Sequence, residues 1–294
     1  MIKYFFKQIF YLIAAIILIL PEIIFARNQE SITDWYIKDF QSVITVNKDS
    51  SLLAEEKIIA DAGNLPDKHG IFRIMPTQLK TTRETIKTPV KLVGITDFDG
   101  NKIPYSTITD NFNHTITWKI GDADKTVTGE NQYKITYLVK NAVRSSNADF
   151  DELYWNILGN FWDIDIEKFS VDIVFPDGIN QANSETYVYS GNPNFQHESL
   201  ENHEWIGNNT LRVTSKQMIY PRTRITASVT FPKGKTIFHL SQTQLNDIED
   251  QVAVIRAKTQ ALIPQVARVI VERTITMVTS IKASLAQINN YYAK

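Results

Sequence analysis

From Trp35 to Phe231 the apolar residues come in short runs rich in Val, Ile, Thr, Tyr and Phe, separated by Gly, Pro, Asn and Asp. That alternation predicts strands joined by turns, because β-branched and aromatic side chains suit a pleated surface and the punctuating residues suit chain reversal. Ile37 to Val46 and Leu52 to Ala60 flank Asn47-Lys48-Asp49-Ser50 and read as a hairpin. Val90 to Asp97, Thr115 to Ile120 and Tyr133 to Val139 continue the series. Lys168 to Phe175, Thr186 to Tyr189, Leu211 to Ser215 and Ile225 to Phe231 complete it. No helical crossover separates these runs, so the expected fold is a mainly antiparallel β-sandwich over residues 35–232. One version of it has two lobes meeting near Asp149 to Trp162.

Beyond Phe231-Pro232-Lys233-Gly234 the period changes, and a helical segment is expected over residues 241–292. Leu245, Ile248, Val252 and Ile255 share one helix face, as do Val278, Ile281, Leu285, Ile288 and Tyr292. Pro264 divides the two stretches into a helical pair or bends one helix. Arg268, Glu272, Arg273 and Lys282 interrupt the apolar sequence, so no span of a bilayer is expected here. The two readings of this amphipathic segment are packing on its own domain and self-association as a short coiled coil.

The first 26 residues read as an export signal or N-terminal anchor. Lys3 and Lys7 give the positive start, Ile9 to Leu20 the apolar run, and Pro21 precedes a small residue at Ala26. The chain is therefore placed outside the cytoplasmic membrane, released or held there by an uncleaved N-terminus. The 294 residues include no cysteine, so stability must come from burying apolar surface, and thiol nucleophiles and thiolate metal sites are excluded. A formal charge of −1 is too small to draw in polyanions, which argues against nucleic acid as a partner.

Four segments, in order, carry a resemblance. A glutamate pair, Glu55-Glu56, is followed by Gly70-Ile71-Phe72-Arg73-Ile74-Met75-Pro76. Next come Ile120-Gly121-Asp122, Thr128-Gly129 and Tyr133-Lys134-Ile135-Thr136-Tyr137. The fourth is Asp151-Glu152-Leu153-Tyr154-Trp155-Asn156 with Gly159 and Trp162, closing on Val174-Phe175-Pro176. Together they resemble the exported N-terminal region of a family of predicted bacterial membrane proteins, domain of unknown function 2207, with Met75 where its Gly-Ile-x-Arg-x-Ile-Pro element has Ile. The resemblance implies an envelope-facing domain without an assigned activity. It also implies membrane-spanning helices further on, where this sequence instead offers amphipathic helix.

Asp149 to Trp162 packs acids, two amides and five aromatic residues into fourteen positions, and is the candidate contact surface through Asp151, Glu152, Tyr154, Trp155 and Trp162. The bland reading of the same residues is packing at the end of a sandwich, since Trp rings are more often core than platform. Arg73 stands among Ile71, Ile74 and Pro76 and calls for a carboxylate, because an unpaired buried guanidinium is costly. Glu56 and Glu152 are the two candidates for that structural clamp.

Asp163, Asp165 and Glu167 project from one side of an extended chain, with Ile164 and Ile166 on the other. That is a weak calcium pattern and an ordinary half-exposed strand. Glu152 with Asp163 or Asp165, beside Trp155 and Trp162, is also the shape of a glycosidase site. His197-Glu198 and His203-Glu204 read as a polar loop, and position 201 is Glu, so the metalloprotease helix motif is missing. No metal and no cofactor are called. The expected function is a non-catalytic interaction or scaffold module contacting an envelope protein or glycan; the alternative is a carbohydrate-binding or carbohydrate-cleaving protein.

Overall fold

The computed structural model describes residues 34–80, 85–145, 149–191, 199–236, 250, 252–255 and 265–292. In chain order the strands begin with β1 (Tyr36–Val46), β2 (Leu52–Asp61), β3 (Ile71–Pro76), β4 (Gln78–Lys80), β5 (Thr85–Lys87) and β6 (Val90–Thr96). Then come β7 (Tyr105–Asp110), β8 (Thr115–Ile120), β9 (Glu130–Val139), β10 (Val143–Arg144) and β11 (Phe150–Asn156). The series ends with β12 (Phe169–Val174), β13 (Glu185–Gly191), β14 (Glu201–Ile206), β15 (Thr210–Ser215) and β16 (Arg224–Pro232). A helix, α1 (Gln265–Tyr292), follows.

Three main sheets form a sandwich. One layer is a seven-stranded sheet in the order β14-β15-β12-β1-β2-β9-β6. Against it lie a three-stranded sheet, β3-β8-β7, and a four-stranded sheet, β10-β11-β16-β13. A short β4-β5 ladder stands apart from all three. Strict alternation decides which side chains go inside: Phe40, Ser42 and Ile44 of β1 are buried while Gln41 and Val43 are exposed. The β1–β2 hairpin turns where the sequence puts Asn47 to Ser50, with Asp49 accepting from the Ser51 amide and hydroxyl. A single apolar cluster runs from Phe40 and Ile58 to Val229 and Phe231, so the two lobes share one core.

One pairing departs from the antiparallel expectation. β12 runs parallel to β1, Phe40 opposite Phe169 and Ile44 opposite Ile173. The pairing extends backward through the Ile37 amide to the Asp165 carbonyl and the Glu167 amide to the Ile37 carbonyl. A parallel pair needs a long connection but not a helical one. Here the connection between these neighbours passes through all the intervening strands, so no crossover helix was there to signal it.

At the centre of the sandwich sits a charge. Glu56 on β2 points inward beside Ser42 and Ile135, and Arg73 on β3 reaches it with two donors, Nε to Oε2 at 2.8 Å and an Nη to Oε1 at 2.5 Å. Tyr137 on β9 donates its hydroxyl to the same Oε1 at 2.6 Å. The guanidinium also donates to the Leu158 carbonyl at 3.4 Å and lies over the Trp162 ring, 5.4 Å from its centroid. All three polar side chains are buried. Burial weighs most heavily on Arg73 and opposes its charge, yet Glu56 and Tyr137 together hold its pKa above the ordinary value. Burial, and then the negative charge of Glu56, push the Tyr137 phenol well above its usual range. Burial alone pushes Tyr133, further along β9, up to about 12.

Three glycines stand where side chains are disfavoured around this arrangement. Gly159 holds φ +82° against Arg73, where a Cβ would meet the guanidinium at 3.0 Å. Gly70 and Gly121 cross backbone to backbone, and a Cβ on either would come within 1.8–1.9 Å of the other strand's carbonyl. Side chains are sterically impossible there, and both positions have φ well into the positive region.

Of the C-terminal expectations, α1 is seen, and residues 252–255 are helical. Met277, Val278 and Ile281 are exposed on α1, as are Val254 and Ile255 before it. Leu245, Ile248, Pro264 and the 1–26 segment lie outside the described residues. Among the described residues no helix is long and apolar enough to cross a membrane.

Replacing Arg73 by Ala leaves the Glu56 carboxylate stranded in the core, and a loss of about 3–5 kcal/mol is expected in urea unfolding. Arg73→Met combined with Glu56→Leu recovers most of that loss; a double variant as unstable as the sum of the singles would show that the two do not act as a unit. A second expectation concerns alkali. The raised phenols of Tyr133 and Tyr137 contribute fully below pH 10 and lose that contribution as pH climbs toward their folded values. Unfolding free energy should therefore fall between pH 10 and 12 by about 1.4 kcal/mol per pH unit for each ring. Tyr133→Phe should make that decline measurably shallower.

Candidate functional site

The acidic and aromatic segment resolves into a strand and a turn with different tasks. β11 alternates, burying Asp151, Leu153 and Trp155 and turning Phe150, Glu152, Tyr154 and Asn156 the other way. Trp155 and Trp162 are each 5% exposed, and Trp162 packs edge-on against Phe40 at 6.1 Å. Both indoles are therefore core, not contact surface. Their size explains it: rings this large gain more by burial than any other side chain. Asp151 is buried as well, held by the Ser145 hydroxyl at 2.6 Å with Lys233 at 3.6 Å. Of the five positions read as a contact surface, Glu152 and Tyr154 face outward.

Register then shows what stands beside them. Glu152 is opposite Thr230, which is opposite Glu185; Tyr154 is opposite Ser228, then Tyr187; Asn156 is opposite Thr226, then Tyr189. Arg144 on β10 pairs with Glu152 from the other side. Directly opposed residues share a sheet face. The outer face of the four-stranded sheet thus carries three tyrosines in two rows, four hydroxyl or amide side chains, two carboxylates and one arginine.

The chemistry of that face is ordered. Arg144 donates to Glu152 Oε2 at 2.5 Å, and Ser228 donates its hydroxyl to Glu152 Oε1 at 2.8 Å. The Arg144 guanidinium also lies over the Tyr154 ring, 4.8 Å from its centroid. Its Nε is buried with no hydrogen-bond partner among the described residues. On the edge strand, Tyr187 and Tyr189 are 53% and 52% exposed, their rings near-parallel at 15° with centroids 6.3 Å apart. Half-exposed neighbouring rings beside an ordered ion pair make a preformed surface for flat or apolar groups.

The other sequence candidates are placed as follows. Arg73 takes Glu56 as its carboxylate, while Glu152 is committed to Arg144. Asp163 is exposed and paired with Arg222 at 2.7 Å, while Ile166 is buried and bridges to Ile37 and Ile219. Among the described residues no group of three or more His, Asp and Glu side chains converges as a metal site. His203-Glu204 is not a loop: it lies on β14, an edge strand paired with β15, where the polar alternation suits an exposed sheet margin. His197-Glu198 lies outside the described residues. Tyr187, Tyr189, Arg144 and Ser228 were missed because each is ordinary alone. The Glu185-x-Tyr187-x-Tyr189 alternation was the available signal, and only the register joins it to β11.

The family described as "Predicted membrane protein (DUF2207) N-terminal domain" matches residues 36–231. The uncharacterized protein YciQ of Escherichia coli (strain K12) is 29% identical over 154 residues, covering 52% of this chain and 24% of that protein. The chain therefore matches about a quarter of that relative's length. Similar solved structures include yeast LTA4 hydrolase, 9% identical with TM-score 0.41 over 67% of this chain and 29% of that one. Another is the M1 zinc metallopeptidase from Deinococcus radiodurans, 8% identical with TM-score 0.35 over 67% of this chain and 42% of that one.

The division within β11 has a direct test. Trp155→Ala should cost about 3–5 kcal/mol as a core deletion, whereas Tyr154→Ala should cost about 1 kcal/mol or less. Equal losses in parallel urea titrations would mean that the strand does not present two faces.

Proposed function

The chain belongs to the DUF2207 family of predicted membrane proteins through that family's N-terminal domain, and from this we propose that its β-domain is a non-catalytic binding module exported to the envelope. Its contact surface is the outer face of the four-stranded sheet, and its partner is a protein. The observation that carries the reading is the register that sets Tyr154, Tyr187 and Tyr189 around the Arg144–Glu152 pair. Tyr and Arg are the residues that dominate protein contacts, and Lys is depleted there. No lysine stands in these rows of the face.

A catalytic use of the same residues finds less support. Both oxygens of Glu152 are engaged, by Arg144 and by Ser228. The rings expected to hold a sugar, Trp155 and Trp162, are inside. A glycosidase needs two carboxylates flanking a cleft about 5–9.5 Å apart, and of the two acids read as the second, Asp163 and Asp165, the first is tied to Arg222.

The test is capture of envelope proteins by the unaltered chain beside a Tyr187→Ala, Tyr189→Ala variant of equal melting temperature, followed by a binding titration of the protein retained. Loss of two exposed rings should weaken that titration by about a hundredfold. An affinity unchanged by the double substitution removes the face from the contact and the proposal with it.

A further inference from the structure

β7 is one margin of the three-stranded sheet, and among the described residues it pairs with β8 alone. Register and one hydrogen bond show which way its backbone points. The Gly121 amide donates to the Pro104 carbonyl at 2.8 Å, so Pro104 and, by alternation, Ser106, Ile108 and Asp110 turn their backbone groups toward β8. The amides and carbonyls of Tyr105, Thr107 and Thr109 therefore face outward. Every residue from Tyr105 to Thr109 is exposed, Tyr105 by 50% and Ile108 by 54%.

Such a margin is a template for another strand, and proteins guard it with charges, prolines, bulges, shortness or cover. The other margins of the three main sheets are guarded in these ways. β6 carries Lys91 and a bulge between Leu92 and Gly94, and β14 carries Glu201, His203 and Glu204. β13 is held to β14 and the residue before it, through the Trp205 indole on the Thr186 hydroxyl and the Leu200 amide on the Ser190 hydroxyl. β10 has two residues, and β3 ends on Pro76, at a position whose amide would have faced outward. β7 has no proline, lysine or bulge. Its one charge, Asp110, is turned back onto the Phe112 and Asn113 amides.

We propose that β7 pairs with β7 of a second copy of this chain, antiparallel about a two-fold axis at Thr107, so that the two three-stranded sheets become one sheet of six. The strand is its own complement in that register. Thr107 meets Thr107, and Tyr105 meets Thr109 on either side of the axis. These are the outward-facing residues, so each outward amide of Tyr105, Thr107 and Thr109 finds an outward carbonyl. Sliding by two residues leaves Tyr105 or Thr109 without a strand partner, and sliding by one opposes groups that point the wrong way. Tyr–Thr and Thr–Thr are favourable cross-strand pairs. Asp110 falls opposite Pro104, so no like charges meet. A second copy is the occupant because it necessarily brings an unguarded margin of the same length, and two-fold contacts of this kind are the commonest in soluble assemblies. The tyrosine face lies on a different sheet, and each proposal can fail without the other.

Sedimentation velocity on the full chain should show a dimer with a dissociation constant on the order of 10–100 μM. Thr107→Lys and Thr107→Glu each set like charges across the axis and should weaken it about tenfold at unchanged melting temperature, while an equimolar mixture of the two restores it. The chain has no cysteine of its own, which makes register directly readable. Thr107→Cys puts two thiols on Cα atoms about 5.5 Å apart, within disulfide reach, and should cross-link under mild oxidation. Ile108→Cys, opposite Ser106, should cross-link far less. The Tyr187→Ala, Tyr189→Ala variant should dimerise as the unaltered chain does. A chain still monomeric at about 1 mM, a dimer indifferent to both charges at position 107, or more cross-linking from Ile108→Cys than from Thr107→Cys would each overturn the proposal.

Discussion

The rest of the structure depends on one ion pair inside an otherwise apolar sandwich. Glu56 belongs to the seven-stranded sheet, Arg73 to the three-stranded sheet, and the Leu158 carbonyl to the turn that leaves the four-stranded sheet. One guanidinium therefore links all three main sheets. Its planar fork suits this better than an ammonium would, because two of its donors are taken by one carboxylate while a third points elsewhere. Tyr137 takes up further acceptor capacity on Glu56. Apolar contacts alone would tolerate small slides of one sheet over another, but a bidentate pair with a third donor accepts one relative position.

That constraint explains several features that look unrelated along the chain. Gly159 suits its place because φ is +82° there and a Cβ would crowd the Arg73 guanidinium at 3.0 Å. Trp162 is inside because its ring covers the guanidinium and closes against Phe40. Burial, and then the charge of Glu56, push the Tyr137 phenol well above its usual range, and the proton it keeps bridges to Glu56. The acidic-aromatic segment thus mixes two purposes: its later part, Leu158 to Trp162, seals the buried charge, and its earlier part, β11, supplies a surface.

Much of the fold was legible because period 2 and turn chemistry are local. The β1–β2 hairpin, β8, β9, β15 and β16 follow directly from alternation and punctuation. β7 was not legible, since its six residues show little burial on either side and so no apolar alternation. β14 was read as loop for the same reason: an edge strand pays no penalty for polar residues on both faces. The site was legible in half. Glu152 and Tyr154 stood out in a dense segment, but Tyr187 and Tyr189 reach them only through β16, and pairing between strands so distant in sequence leaves no local mark. Arg73 was legible as a clamp because charge among isoleucines is conspicuous, while the choice between Glu56 and Glu152 was a matter of topology.

The same buried pair bears on how the outer surfaces work. The tyrosine face stands on the four-stranded sheet, which Arg73 ties to Glu56 through the Leu158 carbonyl. The proposed contact surface is ordered without a partner, since Arg144 and Ser228 already hold Glu152. Preorganisation of this kind removes the ordering cost from association, so modest surfaces can hold partners with useful strength. It also bears on motion: Glu56, the Leu158 carbonyl and the Trp162 ring all hold the Arg73 guanidinium, so sliding one sheet over another would break several contacts at once.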